Sequence, residues 1–381
     1  MQGLTDPPRE DLTAGQVRAL IECRSLDVTS GLDLLGVDEN PVTTAGVEGD
    51  ISSDLLDGIV SHASFADIHG TLRVSITRQL EWGSQRLRPY MVLTDNLTGV
   101  TARFNLGVYL PETPDRNVGA SPTVYEVECY DKLVVLRTPH PSGWSGTAGS
   151  QVVGLIEDLI GEAGESKVRI ESSDKTLPVA MARPLDPAVS YLSIVNDLLA
   201  SIGYRGLWVD WDGYYRSEPY VAPSSRAPEW TYDVGSPSTT VAPRRSETQD
   251  LFDVPNRWVF VQTNRDATDP PSEGDGMYTV VNQSTGPTSI DARGGRVKPA
   301  VVKLEAAGQS SLVAQGDRIS RDDQQTTGVI ALTTDPNPAH WHFDVLTLVD
   351  PLLPPSPRKM VEGRWSLPLR GGLMTHELRT A

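Results

Sequence analysis

Cysteine is nearly absent: Cys23 and Cys129 are the two in 381 residues, too few for a disulfide framework. One bridge is possible by number, but buried reduced thiols are the simpler reading, because free Cys packs as a small hydrophobe. Long apolar runs are missing as well. No stretch approaches the ~20 residues of a spanning helix, and the opening MQGL lacks the basic-then-apolar layout of a secretory signal. The expectation is a soluble chain made in a cytoplasm, with no stable membrane insertion. Bases are outnumbered, 33 Lys and Arg against 50 Asp and Glu, for a formal charge of −17. That balance argues against a nucleic-acid binder, whose phosphate affinity comes from clustered Lys and Arg. Phe is scarce at five, whereas eight Trp and eleven Tyr give an amphipathic aromatic mix suited to sheets and subunit contacts.

What is present is an adequate core and many turns. Hydrophobic residues make up 38%, and the 33 Gly and 29 Pro imply frequent chain reversals. The length predicts two to four domains. Residues 190–220 read as one complete folding unit. Tyr191, Leu192, Ile194, Val195, Leu198 and Leu199 recur at helical spacing, and Gly203 stands where a left-handed C-cap is needed. Two strand-like runs, 207–211 and 214–217, follow, joined by Asp212-Gly213, a pair that tolerates the positive φ of a two-residue hairpin.

Elsewhere the pattern is mostly β in residues 1–140. Residues 71–77 alternate apolar and polar; 91–93, 101–108 and 124–129 read likewise; 96–99 and 111–121 are turn or loop chemistry. A helix is predicted over 152–160, with Ser150 as N-cap and Gly161 as C-cap, and 168–170 is a candidate strand. Residues 223–228 look like a linker, 229–232 and 257–262 like strands, and 264–276 like an exposed loop. A helix over 309–321 is weakened at Gly316 by ~1 kcal/mol relative to Ala. Strands at 329–332 and 344–349 lead into a segment held extended by Pro351, Pro354, Pro355 and Pro357, and 361–378 supplies closing strands.

Five segments together carry a family likeness: SIVNDLLASIGYRGLWVDWDGYYRSEPY in 190–220, VYEVECYDKL at 124–133, RRSETQDLFDVPNRWVFV at 244–261, PAHWHFDVLTL at 338–348 and RWSLPLRGGLMTHELR at 364–379. In this order they resemble the hub proteins at the tip of bacteriophage tails, especially minor tail proteins of long-tailed actinobacterial phages. The resemblance implies an α+β, predominantly β fold with two tail-tube-like β-barrels, an α/β insertion and a small helical element. The first barrel would occupy 1–140 and the insertion 141–228. The second barrel would be split into 229–298 and 336–381 around the helical element at 299–335. It further implies a homotrimer in the virion, presenting six equivalent surfaces to a sixfold tube. The partners would be the tail tube and distal tail ring on one side, the central fibre or spike on the other, and the tape-measure protein. Genomic DNA would pass through the channel without specific binding, past a net-negative wall: three copies of −17 carry −51. The alternatives are a hexameric distal tail ring protein and a tail-tip glycan-binding or cell-wall hydrolase module. Because the chain ends soon after the last matching segment, no appended lytic module is expected.

Candidate chemistry is thin, and no catalytic, cofactor or metal residue is assigned. His340 and His342 would share one face of a strand with Asp344, a zinc- or iron-like trio lacking a fourth ligand at recognisable spacing. Asp210-Trp211-Asp212-Gly213 has a calcium-loop look without the bidentate Glu, and a hairpin accounts for its acids. Gly146–Ser150 is neither a nucleophile elbow nor a phosphate loop. Trp208, Trp211, Tyr214, Tyr215 and Tyr220 divide between two faces of a hairpin, which favours packing over a sugar platform. Arg244, Arg245 and Arg257 are better interfacial ion-pair donors than DNA contacts amid surplus acid. The chain is therefore expected not to be an enzyme.

Overall fold

The computed structural model describes residues 1–2, 4, 11–44, 47–119, 123–177, 179–236, 241–249, 252–263, 269–304, 306, 308–325 and 328–381. The fold is α+β and predominantly β. Alternation builds its strands. In Gly70–Ile76, Leu72, Val74 and Ile76 are buried while Arg73 is exposed. They face Cys129, Val127 and Tyr125 of the antiparallel strand Val124–Asp131, so each rung buries an apolar pair. Fully burying one such side chain stabilises by about 1.5–3 kcal/mol.

Thirteen strands form one sheet, in the order Leu26–Leu35, Arg86–Asp95, Tyr109–Asn117, Val124–Asp131, Gly70–Ile76, Leu55–Ala63, Arg358–Pro368, Met374–Thr380, Gly328–Thr334 and Ser246–Gln249. Three more strands join off this path: Thr101–Asn105 on Arg86–Asp95, Val345–Val349 on Arg358–Pro368, and Trp230–Asp233 parallel to Val345–Val349. An N-terminal set and a C-terminal set thus meet edge to edge, Leu55–Ala63 against Arg358–Pro368, with His62 opposite Trp365. Two tail-tube-like β-barrels were expected. Among the described residues the ladder is open, because the edge that would close the N-terminal set is paired with the C-terminal one. The interior is shared too: Leu32, Leu72 and Val127 lie in the same core as Trp230, Trp365 and Leu378.

The segment expected to be loop at 111–121 contains most of the strand Tyr109–Asn117, which continues through Pro111 and Pro114 by shifting register between Pro111 and Thr113. Cys23 and Cys129 are free thiols.

Between the two sets lies an α/β piece with its own core. Helices Val152–Glu162 and Tyr191–Ser201 pack over a sheet in which Val168–Ile170 runs parallel and Trp208–Val209 antiparallel to Tyr215–Ser217. Ser190 caps the second helix through a reciprocal bond with Ser193, and Gly203 takes φ +78°. At the first helix the cap is Gln151; Ser150 bonds Thr147 instead, Gly161 lies within the helix, and Gly164 has the positive φ. The hairpin is longer than two residues. The Gly213 amide donates to the Asp210 carbonyl, and Gly213 at φ +85° closes a three-residue loop.

Arg257–Gln262 is a strand, but not of the large sheet. It lies between Gly276–Val281 and Pro299–Leu304 in a four-stranded sheet covered by the helix Gln309–Gln325. A Cβ at Gly316 would stand 2.6 Å from Phe260 and 2.9 Å from Tyr278, so glycine is what lets this helix approach the sheet. Within the expected loop 264–276, residues 264–268 lie outside the described ones and Ser272–Glu273 forms a short strand.

Candidate functional site

The seam between the two strand sets collects buried polar side chains. The turn 340–344, just before Val345–Val349, organises it. Asp344 accepts from the Trp341 amide at 2.8 Å and lies 3.0 Å from His340 Nδ1, and Phe343 is held at φ +54°. Arg226 donates to the Phe343 carbonyl at 2.8 Å. Because this is a turn and not a strand, His340 and His342 do not share a face.

His340 enters a hydrogen-bonded cluster in which both its ring nitrogens have partners, although Glu362 Oε1 is buried without one. The His340 Nε2 lies 2.6 Å from the Tyr232 hydroxyl, and Asp344 also binds the Met1 amino group at 3.0 Å. Glu362 lies 2.8 Å from His376 Nδ1, and Thr334 lies 2.9 Å from His376 Nε2. Burial raises Glu362 well above the usual carboxylate range, so it sits there as a neutral acid; burial lowers His376 to about 3. The bonds fall into two adjoining sets, Tyr232–His340–Asp344 and Glu362–His376–Thr334.

His342 turns the other way, to His62 at the seam and His69 beside Gly70–Ile76. One ring nitrogen from each lies within 4.8 Å of the other two. The Nδ1 atoms of all three are sealed from solvent without a hydrogen-bond partner. Trp365 stacks on His62, Trp208 stacks on His342, and Trp341 and Phe343 complete an aromatic wall. Burial lowers His62 to about 3 and His69 to about 4, so the rings are neutral imidazoles. The expected His340–His342–Asp344 trio is thus divided, and a different trio appears. Its sequence signal was only a pair of His seven positions apart across a turn, in HASFADIH, with the third ring 280 positions from His62.

A second polar cluster, also missed in the sequence, ties the N-terminal set to the α/β piece. Arg86 bridges Glu39 at 2.8 Å and Glu165 at 2.6 Å, and fully buried Lys132 pairs with the same two acids at 2.5 and 2.7 Å. Lys132 also donates to the Gly213 carbonyl at 2.9 Å. On the solvent face of the N-terminal set, an open groove of about 520 Å³ is lined by Asp57, Asp115, Glu126 and Glu128 against Arg73. Asp210 accepts the Asp212 and Tyr214 amides and so serves the hairpin, while Asp212 accepts from Asn105 at 2.6 Å and ties the hairpin to the strand Thr101–Asn105. Of the five aromatic residues weighed as a sugar platform, Trp208, Trp211 and Tyr215 are buried. Arg245 pairs with Asp350 at 2.5 Å, within the chain.

The arrangement of strand sets is found in solved proteins. A tail protein from Neisseria meningitidis MC58 superposes with TM-score 0.62 at 11% identity, over 92% of this chain and 96% of that one. The 43 kDa tail protein of prophage MuSo2 from Shewanella oneidensis gives 0.62 at 11%, over 92% and 98%. This chain has a phage tail-protein fold. The prophage tail protein gp18 of Listeria monocytogenes EGD-e agrees at 0.54 and 8%, over 92% and 94%. No family model and no curated protein matches the sequence. At these identities the tail-protein likeness is one of architecture. No helix among the described residues is long and apolar enough to cross a membrane.

Proposed function

We propose that the chain is a structural protein of a phage virion: a trimeric hub at the distal tip of the tail, made in the host cytoplasm. The observation that carries this reading is the edge-to-edge union of two strand sets in one chain, in an architecture matched end to end by solved tail proteins. A trimer of such chains presents six similar strand sets, which suits a collar on a sixfold tail tube. In this role one side of the collar meets the tube and distal ring, and the other meets the central fibre or spike.

The acidic groove over Asp57, Asp115, Glu126 and Glu128 gives the surplus negative charge a place. Turned toward a central channel, that face repels DNA phosphates and lets the genome and tape-measure protein pass without adhering. The role is non-catalytic: in the seam His340 bonds Tyr232 and Asp344 while His376 bonds Glu362 and Thr334, and the protein works by holding shape.

The subunit count tests the proposal. Native mass measurement on the purified 41.4 kDa chain, alone and mixed with its tail-tube protein, should give three copies. Six copies would move the protein to the distal ring. A chain that stays monomeric even with the tube protein would remove the hub.

A further inference from the structure

We propose that His62, His69 and His342 bind one divalent transition-metal ion of the zinc class, clamping the N-terminal strand set to the turn that enters the C-terminal one. The ligand set is right in kind. Neutral imidazoles are the nitrogen donors zinc and its neighbours use, and a site with three of them and no carboxylate does not suit magnesium or calcium. Three protein ligands leave the fourth tetrahedral position to water.

Geometry supports the same conclusion. Ligand nitrogens at about 2.0–2.1 Å from a tetrahedral ion stand roughly 3.3 Å apart. The three rings already place nitrogens within 4.8 Å of one another, so ordinary side-chain adjustment brings them to bonding distance. Nothing competes for the Nδ1 atoms, which are buried and lack hydrogen-bond partners. In a polar cluster of this size, such orphaned nitrogens call for a partner that the chain does not provide. The walls are rigid aromatics, with Trp365 parallel to His62 at 5.6 Å and Trp208 parallel to His342 at 5.3 Å.

The neighbouring charges are balanced. Arg205 and Arg226 act on His342, but Arg226 pairs with Glu229 at 2.5 Å and Arg205 lies 3.8 Å from Glu218; the Asp344 carboxylate acts on His62. The outer wall is the turn 64–69, where Phe65, Ala66 and Asp67 are exposed, which gives an ion a short way in. The same turn is tied to the seam: Ser64 accepts the Phe343 amide at 3.3 Å. An ion here would cross-link segments 280 positions apart, where the two strand sets are joined, among the described residues, by one strand pairing.

The test uses the full chain without a histidine tag, stripped by chelator and titrated with Co²⁺, then Zn²⁺. One Co²⁺ per chain should bind with the visible absorption of a tetrahedral nitrogen site, and Zn²⁺ should displace it. His62→Phe, His69→Phe and His342→Phe should each weaken binding at least about 100-fold, whereas His140→Gln, far from the trio in sequence, should not. Should a variant fail to fold, the wild type still decides: Zn²⁺ should raise its Tm in a concentration-dependent way that chelator reverses. A stripped chain that takes up no ion and shows no shift overturns the site and leaves water as the partner of these nitrogens. So does binding that survives in all three folded variants. Neither result touches the hub reading, which rests on subunit count.

Discussion

Around His340 both ring nitrogens have partners, Tyr232 and Asp344, and beside it Glu362 bonds His376. Around His342, two residues along the chain, three Nδ1 atoms have none. Both clusters are buried, both lie at the seam, and burial holds the rings of His62, His69, His342 and His376 below their ordinary pKa. The difference is in what each does for the fold. A satisfied network loses heavily when one member goes, because its neighbours are left unpaired in a low dielectric. An unsatisfied cluster has little to lose and room to gain a ligand. Equal burial therefore does not mean equal contribution to stability.

The largest expected effect breaks the better-partnered side. Glu362→Ala should cost about 3–5 kcal/mol, from the cavity and the orphaned His376 nitrogen together, in chemical denaturation at neutral pH. Glu362→Gln keeps the shape and neutrality of the buried acid and should stay within about 1 kcal/mol. A substitution pair sharpens the contrast directly: His340→Phe should cost about 2–4 kcal/mol, while His342→Phe in stripped protein should change stability by under about 1 kcal/mol. Equal losses would erase the distinction between the clusters.

A smaller effect carries the comparison from polar partners to space. Helix propensity says Gly316→Ala should stabilise by ~1 kcal/mol. Contact at 2.6 Å with Phe260 says the opposite, and a net loss of about 1–2 kcal/mol is expected in thermal unfolding.

The smallest is a pH slope. Burial raises Asp210 from 3.8 to about 6 even though it accepts two backbone amides. A folded-state pKa above the unfolded value contributes stability that is complete below 3.8 and is lost as pH rises through about 6. Asp210→Asn removes that dependence, so the Tm difference, variant minus wild type, should climb between those two pH values. A flat difference would mean that Asp210 is as well solvated in the fold as outside it.

Much of this was legible from residue order. The helix from Tyr191 to Ser201 with its Ser190 cap and Gly203 stop, the Gly213 turn and the strand Gly70–Ile76 follow from periodicity and backbone preference, which act over a few residues. The strand Tyr109–Asn117 was hidden because its prolines read as loop, and a register shift accommodates them. Gly316 was read as a cost because its contact partners are remote in sequence.

What the sequence by itself determined is the predominantly β composition, the caps and turns, and the surplus of acid. Only the tertiary structure decided that two strand sets share one sheet and one core, that Arg257–Gln262 leaves it, and that His342 meets His62 and His69 instead of Asp344. The physical reason is range. Propensity and alternation are set by neighbours along the chain, whereas an edge pairing or a three-ring cluster is chosen by which distant segments can be buried together, and no local pattern records that choice.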